Sequence, residues 1–391
     1  MGKLPDYIGV SAFGIKMGVI VPGSDVESLV YDSLVKCNQD GLLDDGDTVC
    51  VTESIVARAQ NNYVTAQDIS NEVTEKLKIN SHSSIGILFP ILSRNRFAMI
   101  LKGIAGSVPQ GKVIIQLSHP ADEVGNQVLH QDFAESIGKC DSDVITLDEI
   151  GPDRFKHPIT KVDYVELYRE ILIEQGCEAE VIFSNDPIKL ADYGLDGIIV
   201  ANIHQRERTY RKLKAAGQNC ITLQQICNTG DAWSEWGVLG SNISSGDKLK
   251  LAPRHADEVA QKIQAKVKAG LGINVEVIIY GDGAYRDPST GIYELADPQP
   301  AFGMTKGLAG KYRQGLKYKY MVDVLYDEGI DIDEIENSIE AKKGETFAAD
   351  CFETEGTTPR KAEDLMASLA DLISGSADAG TPLVLVKGFL A

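Results

Sequence analysis

Val275-Glu-Val-Ile-Ile-Tyr-Gly-Asp282-Gly-Ala-Tyr-Arg286 is an apolar run that ends on an aspartate between two glycines. Its β-branched residues favour a strand and Gly-Asp-Gly favours a turn, so the Asp282 carboxylate is expected just past a strand end. Upstream, Cys227-Asn228-Thr229-Gly230-Asp231 again places an aspartate after an apolar run and a glycine-containing turn. Carboxylates delivered from two separate strand ends can converge on one hard cation. A metal site that handles phosphates is therefore the first chemistry to test.

Around these two stretches the chain alternates strand-like and helix-like segments. Between them and the N-terminus lie the apolar runs Val113-Ile-Ile-Gln-Leu117, Val144-Ile-Thr-Leu147, Val181-Ile-Phe183, Gly197-Ile-Ile-Val200 and Cys220-Ile-Thr-Leu223. Helical periodicity over 162–175 and 206–216 separates them, which describes a small wound α/β unit of largely parallel strands. Three parts follow: residues 1–112, an inserted α/β domain over 113–222, and residues 223–391. In the first part, Val19-Ile20-Val21 reads as a strand before the Pro22-Gly23 turn, and a helix follows from Val26 to Lys36. Asp45-Gly46-Asp47 introduces a second strand, and Asp68 to Leu77 reads as an amphipathic helix. In the last part, helices are expected over 256–269 and 360–373, with a final strand in Pro382-Leu-Val-Leu-Val-Lys-Gly388. The fold class is mixed α+β.

Composition narrows the function. A chain of 391 residues, 43% of them hydrophobic, can bury the cores of two or three domains. Lys and Arg number 38 against 57 Asp and Glu, a net charge of -19 that repels a polyphosphate backbone, so nucleic acid is not an expected partner. A nucleoside triphosphate stays possible, because a divalent ion and a few local cations outweigh the global field at a site. The seven cysteines form no CxxC pair, consistent with reduced thiols in a cytoplasmic protein. Met1 to Tyr7 holds Lys, Pro and Asp, unlike a signal peptide, and no apolar run approaches the ~18 residues of a membrane span. The six histidines lack zinc-ligand spacing; His119 alone follows a strand end where wound folds often bind ligands. Neither GxxxxGK[ST] nor a strand-linked GxGxxG occurs, so a bound nucleotide is held without a P-loop.

Five short blocks, in order, resemble the coenzyme F420-0 γ-glutamyl ligase family. Val21-Pro-Gly-Ser-Asp25-Val is similar to its opening P-G-D-D-L turn, and Asp45-Gly-Asp-Thr-Val-Cys-Val-Thr-Glu-Ser-Ile-Val-Ala-Arg58-Ala-Gln60 to D-G-D-V-x-V-x-x-x-x-V-S-K-x-E-G. Asn228-Thr-Gly-Asp231 with Ser241-Asn-Ile-Ser-Ser-Gly246 through Pro253 resembles N-A-G-x-D-x-S-N-V-x-x-G-x-x-x-L-L-P, interrupted by Ala232 to Gly240. Val277-Ile-Ile-Tyr-Gly-Asp282-Gly-Ala-Tyr-Arg286 resembles V-I-I-T-D-T-x-G-R, and Asp364 to Gly388 matches the family's C-terminal pattern. Gln60, Gly283 and Ser289 replace family residues, and the 113–222 segment has no counterpart in these blocks.

The resemblance implies an enzyme that joins L-glutamate to F420-0 or a related carboxylate, with GTP as co-substrate and Mg2+ or Mn2+ as cofactor. It implies an acyl-phosphate intermediate, small-molecule substrates and a homodimer. It also implies Asp231 and Asp282 as metal ligands and Arg58 and Arg286 as catalytic cations, with Arg58, Asn228 and Arg286 holding the nucleotide. Each residue has a plainer reading. Asp282 forms a turn, Asp231 caps the next segment, with Glu235 as its rival for the metal, Arg286 pairs on the surface, and Arg58 is solvated. Trp233 and Trp236 either stack on a planar ligand or pack against the inserted domain. Two further readings stand beside the main one: a ligase of the same fold acting on a different acceptor, and a non-catalytic small-molecule-binding protein.

Overall fold

A computed structural model describes residues 5, 7–151, 154–157, 159–283, 285–286, 293–342, 351–375 and 379–390. Among them, five strands form one sheet in the order Ser11–Ile15, Leu383–Lys387, Thr48–Thr52, Glu276–Tyr280, Ala301–Met304. Only the central pair, Thr48–Thr52 with Glu276–Tyr280, is parallel. Side chains alternate across a strand, and here both faces are covered. Val49, Val51, Val277, Ile279, Leu383 and Leu385 pack under helices Val26–Gln39 and Ala256–Leu271. Cys50, Ile278, Val384 and Val386 meet Met366 and Ala367 of helix Ala362–Ala370 on the other side. That two-sided burial is why these strands read as unbroken apolar runs rather than as alternating ones.

The second sheet has the order Ile145–Thr146, Glu178–Phe183, Lys112–Leu117, Ser84–Leu88, Gly197–Val200, Cys220–Thr222, and all its pairings are parallel except that of the two-residue edge. Its central strand, Ser84–Leu88, and the helices Ala66–Leu77 and Phe97–Gly106 beside it come from before residue 113, so strand pairing carries the wound unit back past the expected boundary. The physical reason is Gly86. A side chain there would meet Leu190 and Leu195 at 2.7 Å, so the strand needs a glycine in the middle of an already short apolar run, which weakens its signal. Val19 and Val21, expected in a strand, lie exposed outside any element; the edge strand is Ser11–Ile15 instead. The mixed α+β class holds.

Two features join the sheets. Asn242–Ile243, Lys248–Lys250 and Tyr63–Thr65 form a small antiparallel sheet. Trp236 packs against both main cores, edge to face with Phe302 at 6.2 Å and under Arg206 at 5.6 Å. Trp233 meets His255 edge to face at 5.3 Å. For Trp236, then, the packing role is the observed one.

Candidate active site

In the parallel pair, Thr52 lies opposite Tyr280, so the chain leaves both strands at the same carboxyl end. Glu53 follows at once as the first residue of helix Glu53–Ala59, and Asp282 comes two residues after its strand. Carboxyl ends of adjacent parallel strands are where α/β folds place ligand-contacting groups. From the other sheet, the loop after Ser84–Leu88 brings Arg96 to the same corner, at the start of helix Phe97–Gly106. Tyr168 braces this loop: its hydroxyl donates to the Ile91 carbonyl at 2.7 Å and accepts from the Ser93 amide at 2.9 Å. Its ring meets Phe97 edge to face at 5.5 Å, a contact of about 0.5–1.5 kcal/mol that holds Arg96 in place.

Arg96 bridges two aspartates. Its Nη1 donates to Asp297 Oδ1 at 2.6 Å and its Nη2 to Asp282 Oδ2. The Asp282 amide donates to Asp297 Oδ2 at 2.7 Å. Beside them Lys250 Nζ grips both Glu53 oxygens, at 2.8 and 2.7 Å. Both glycines flanking Asp282 are steric requirements. A Cβ on Gly281 would lie 2.4 Å from Asp297 Oδ2, and one on Gly283 would lie 2.7 Å from the Ser368 Cα. The Gly283 amide also donates to Asp371 Oδ2 at 2.9 Å.

Electrostatics follow from burial. Asp297 is 1% exposed, and that burial pushes its carboxyl up to about 7 even though Arg96 pulls the other way. Burial raises Glu53 as well, against the pull of Lys250 and with a further push from Asp282. For Arg96 burial opposes the charge, but Asp297 and Asp282 over-compensate and hold the guanidinium above its ordinary value. Asp282 is the most open of the group, with 38% of its side chain exposed. It borders a cleft of about 370 Å³ together with Arg96, Asn95, Asn126, His157 and Asn242. Asn95 Nδ2 donates to Asn242 Oδ1 at 2.9 Å, which ties the Ser241-Asn242 stretch to the same cleft.

The other candidates lie elsewhere. Asp231 is exposed, and its carbonyl accepts from Arg254 Nη1 at 2.9 Å. Gln60 holds that arginine: its Nε2 donates to the Arg254 carbonyl and its Oε1 accepts the Arg254 amide, both at 2.8 Å. Glu235 accepts the His255 amide at 2.9 Å. Asn228 Oδ1 accepts from Lys76 Nζ at 2.8 Å, and Arg58 lies exposed in the last turn of its helix. The backbone of Arg286 pairs in the two-residue strand Tyr285–Arg286, while its side chain and Ser289 lie outside the described residues.

Glu53, Arg96, Lys250 and Asp297 were not among the sequence candidates. Lys250 carried a signal: it alternates with Leu249 and Leu251 in a strand, and a lysine there must find a buried acid or an open face.

A divalent ion can be tested against this corner by its donor chemistry. Glu53, Asp282 and Asp297 offer hard carboxylate oxygens, as Mg2+ and Mn2+ require. Each is already matched to a fixed cation, and among the described residues no three His, Cys, Asp or Glu side chains stand together at metal-ligand spacing. The fit is thus one of donor type at Asp282, with Arg96 filling the cationic position.

Fold and site together define an α+β protein with a charged cleft between two sheets. The family model for F420-0:Gamma-glutamyl ligase matches residues 14–388, and the chain belongs to that ligase family. The match runs through 113–222 as well, so the wound unit lies inside the family's span. No curated protein sequence matches the chain. Among the described residues no helix is long and apolar enough to cross a membrane.

Proposed function

We propose that this ligase adds L-glutamate to F420-0 or a related carboxylate, with hydrolysis of GTP and through an acyl phosphate. The observation that carries the reading is the cleft at the carboxyl end of Thr48–Thr52 and Glu276–Tyr280, where the half-open Asp282 lies beside the buried Arg96 in a chain matched to the ligase family over nearly its whole length. In this proposal Asp282 and Asp231 are the two carboxylates that would hold a divalent ion, with Glu53 and Asp297 behind Asp282. When bound, such an ion supplies charge neutralisation for a transferring phosphoryl group.

The chain's own groups do the rest. Arg96 is held charged and presents a guanidinium to anions entering the cleft, as donors preorganised toward developing charge do. Arg58 and Arg286 remain proposed cations for the nucleotide and Asn228 a proposed contact to it; the enzyme is proposed to act as a cytoplasmic homodimer. Asn95, Asn126, His157 and Asn242 orient the carboxylate acceptor, and the two sheets exclude water around it. Because most of that wall comes from the wound unit, a related ligase acting on a different acceptor is the second reading.

Thermal shifts with GTP, GDP and ATP, each with Mn2+, Mg2+ or EDTA, test the first step, since ligands that bind only the folded state stabilise it by RT ln(1 + [L]/Kd). A metal-dependent shift with GTP that disappears in Asp282→Asn supports the proposal. An unchanged shift in that variant removes Asp282 from it. Glutamate- and acceptor-dependent release of phosphate then separates the two acceptor readings.

A further inference from the structure

The six-stranded sheet contains a crevice that the ligation chemistry does not use. Its strand order begins at the central strand Ser84–Leu88, runs outward through Lys112–Leu117 to Glu178–Phe183, then restarts on the other side with Gly197–Val200. Wound sheets bind ligands at such a reversal, outside the carboxyl ends of the strands. Here the reversal opens on a cavity of about 320 Å³ whose rim takes Phe89, Ser118, Asn185 and Asn202 from the ends of these four strands. Phe89 holds a positive φ of 55°, a strained conformation for an aromatic residue and one that clusters at ligand sites.

What remains unspent in the cavity is specific. Helix Arg206–Ala215 turns Arg208 and Lys212, four residues apart, toward it; among the described residues neither makes an ion pair or a side-chain hydrogen bond. Asn202 is 3% exposed; its Nδ2 donates to Thr209 Oγ1 at 3.2 Å, but its Oδ1 has no partner among the described residues. A buried acceptor left unpaired is costly, and a ligand donor would satisfy it. The nearby acids are committed. Glu123 accepts the amides of Ile203, His204 and Gln205 at 2.6–2.9 Å, filling the helix N-terminus, and Asp122 accepts those of Leu92, Val124 and Asn126. Leu92, Val124 and Asn126 also line the Asp282 cleft, so the Asp122 loop walls one space from the other.

We propose that this crevice is a second ligand site, which takes a small anionic molecule bearing an amino or hydroxyl donor: the anion meets Arg208 and Lys212, and the donor meets Asn202 Oδ1. The site is independent of the ligation reading, because binding rather than turnover reports it. Titration calorimetry on the full chain with L-glutamate, ribose 5-phosphate and sulfate tests it. L-glutamate would present a carboxylate and an amine, and ribose 5-phosphate a phosphate and hydroxyls; sulfate has no donor. One of the first two is expected to bind at least tenfold tighter than sulfate. Arg208→Gln/Lys212→Gln is expected to weaken it at least tenfold, and Asp282→Asn to leave it within twofold. No binding by either organic probe, equal binding of sulfate (an adventitious ion only), binding unaffected by the double substitution, or binding that Asp282→Asn abolishes would overturn the proposal.

Discussion

Asp282 and Asp231 look alike as sequence, each an aspartate after an apolar run and a glycine, yet the fold treats them in opposite ways. Asp282 leaves a strand buried on both faces and lands where Arg96, Asp297, Glu53 and Lys250 have been collected from four other segments. Asp231 is exposed, and Arg254 holds its backbone carbonyl rather than its carboxylate. The difference lies in what the rest of the chain brings to each turn. A carboxylate becomes chemically distinctive when other elements supply burial and opposite charge, and local sequence does not carry that information.

The largest effect should come from removing the shared cation. Arg96→Met leaves Asp282 and Asp297 facing each other without a counter-charge, and breaking a buried ion pair from one side costs about 3–5 kcal/mol. Urea unfolding measures it; a loss below about 1 kcal/mol would mean that Arg96 does not hold the corner together. Gly283→Ala should follow at about 1–3 kcal/mol, because the new methyl would lie 2.7 Å from the backbone of Ser368 and something must shift to admit it. An unchanged midpoint would show that the turn around Asp282 is looser than this packing requires.

Much of the first sheet was legible because its strands are long apolar runs bounded by turns, as at Val275 to Tyr280 and Leu383 to Lys387. The strand Ser84–Leu88 was not, because its central glycine answers to Leu190 and Leu195, more than 100 residues away. Asp282 was legible as the end of a strand. Its partners were not: Arg96 looks like one of two arginines in a polar loop, and Glu53 like an ordinary first-turn acid of a helix. Their roles arise from strand pairing and sheet-to-sheet packing, which no local pattern encodes.

The pH dependence sharpens the contrast from the buried side. The Asp297 carboxyl is raised from 3.8 to about 7, so the folded state holds its proton more tightly than the unfolded chain does. That contribution to stability is full below about 4 and is lost as the pH rises through about 7. Unfolding free energies of the parent relative to Asp297→Asn should therefore decline steadily across that window and level off above it. A flat difference would mean that Arg96 keeps Asp297 ionised throughout.

The smallest effect is expected at the other aspartate, and it decides most about the ion. Asp231→Asn changes an exposed side chain, so stability should stay within about 0.5 kcal/mol of the parent. If Asp282 alone anchors the divalent ion, the metal-dependent thermal shift with GTP should survive Asp231→Asn and vanish in Asp282→Asn. Equal loss in both variants, with stability intact, would mean that the loop carrying Asp231 closes on the cleft when nucleotide binds and that both carboxylates act on one ion. In that case Gln60 acquires a role through Arg254, since the contacts that now hold this loop in place would have to release it, and Gln60→Ala should strengthen the shift rather than weaken it.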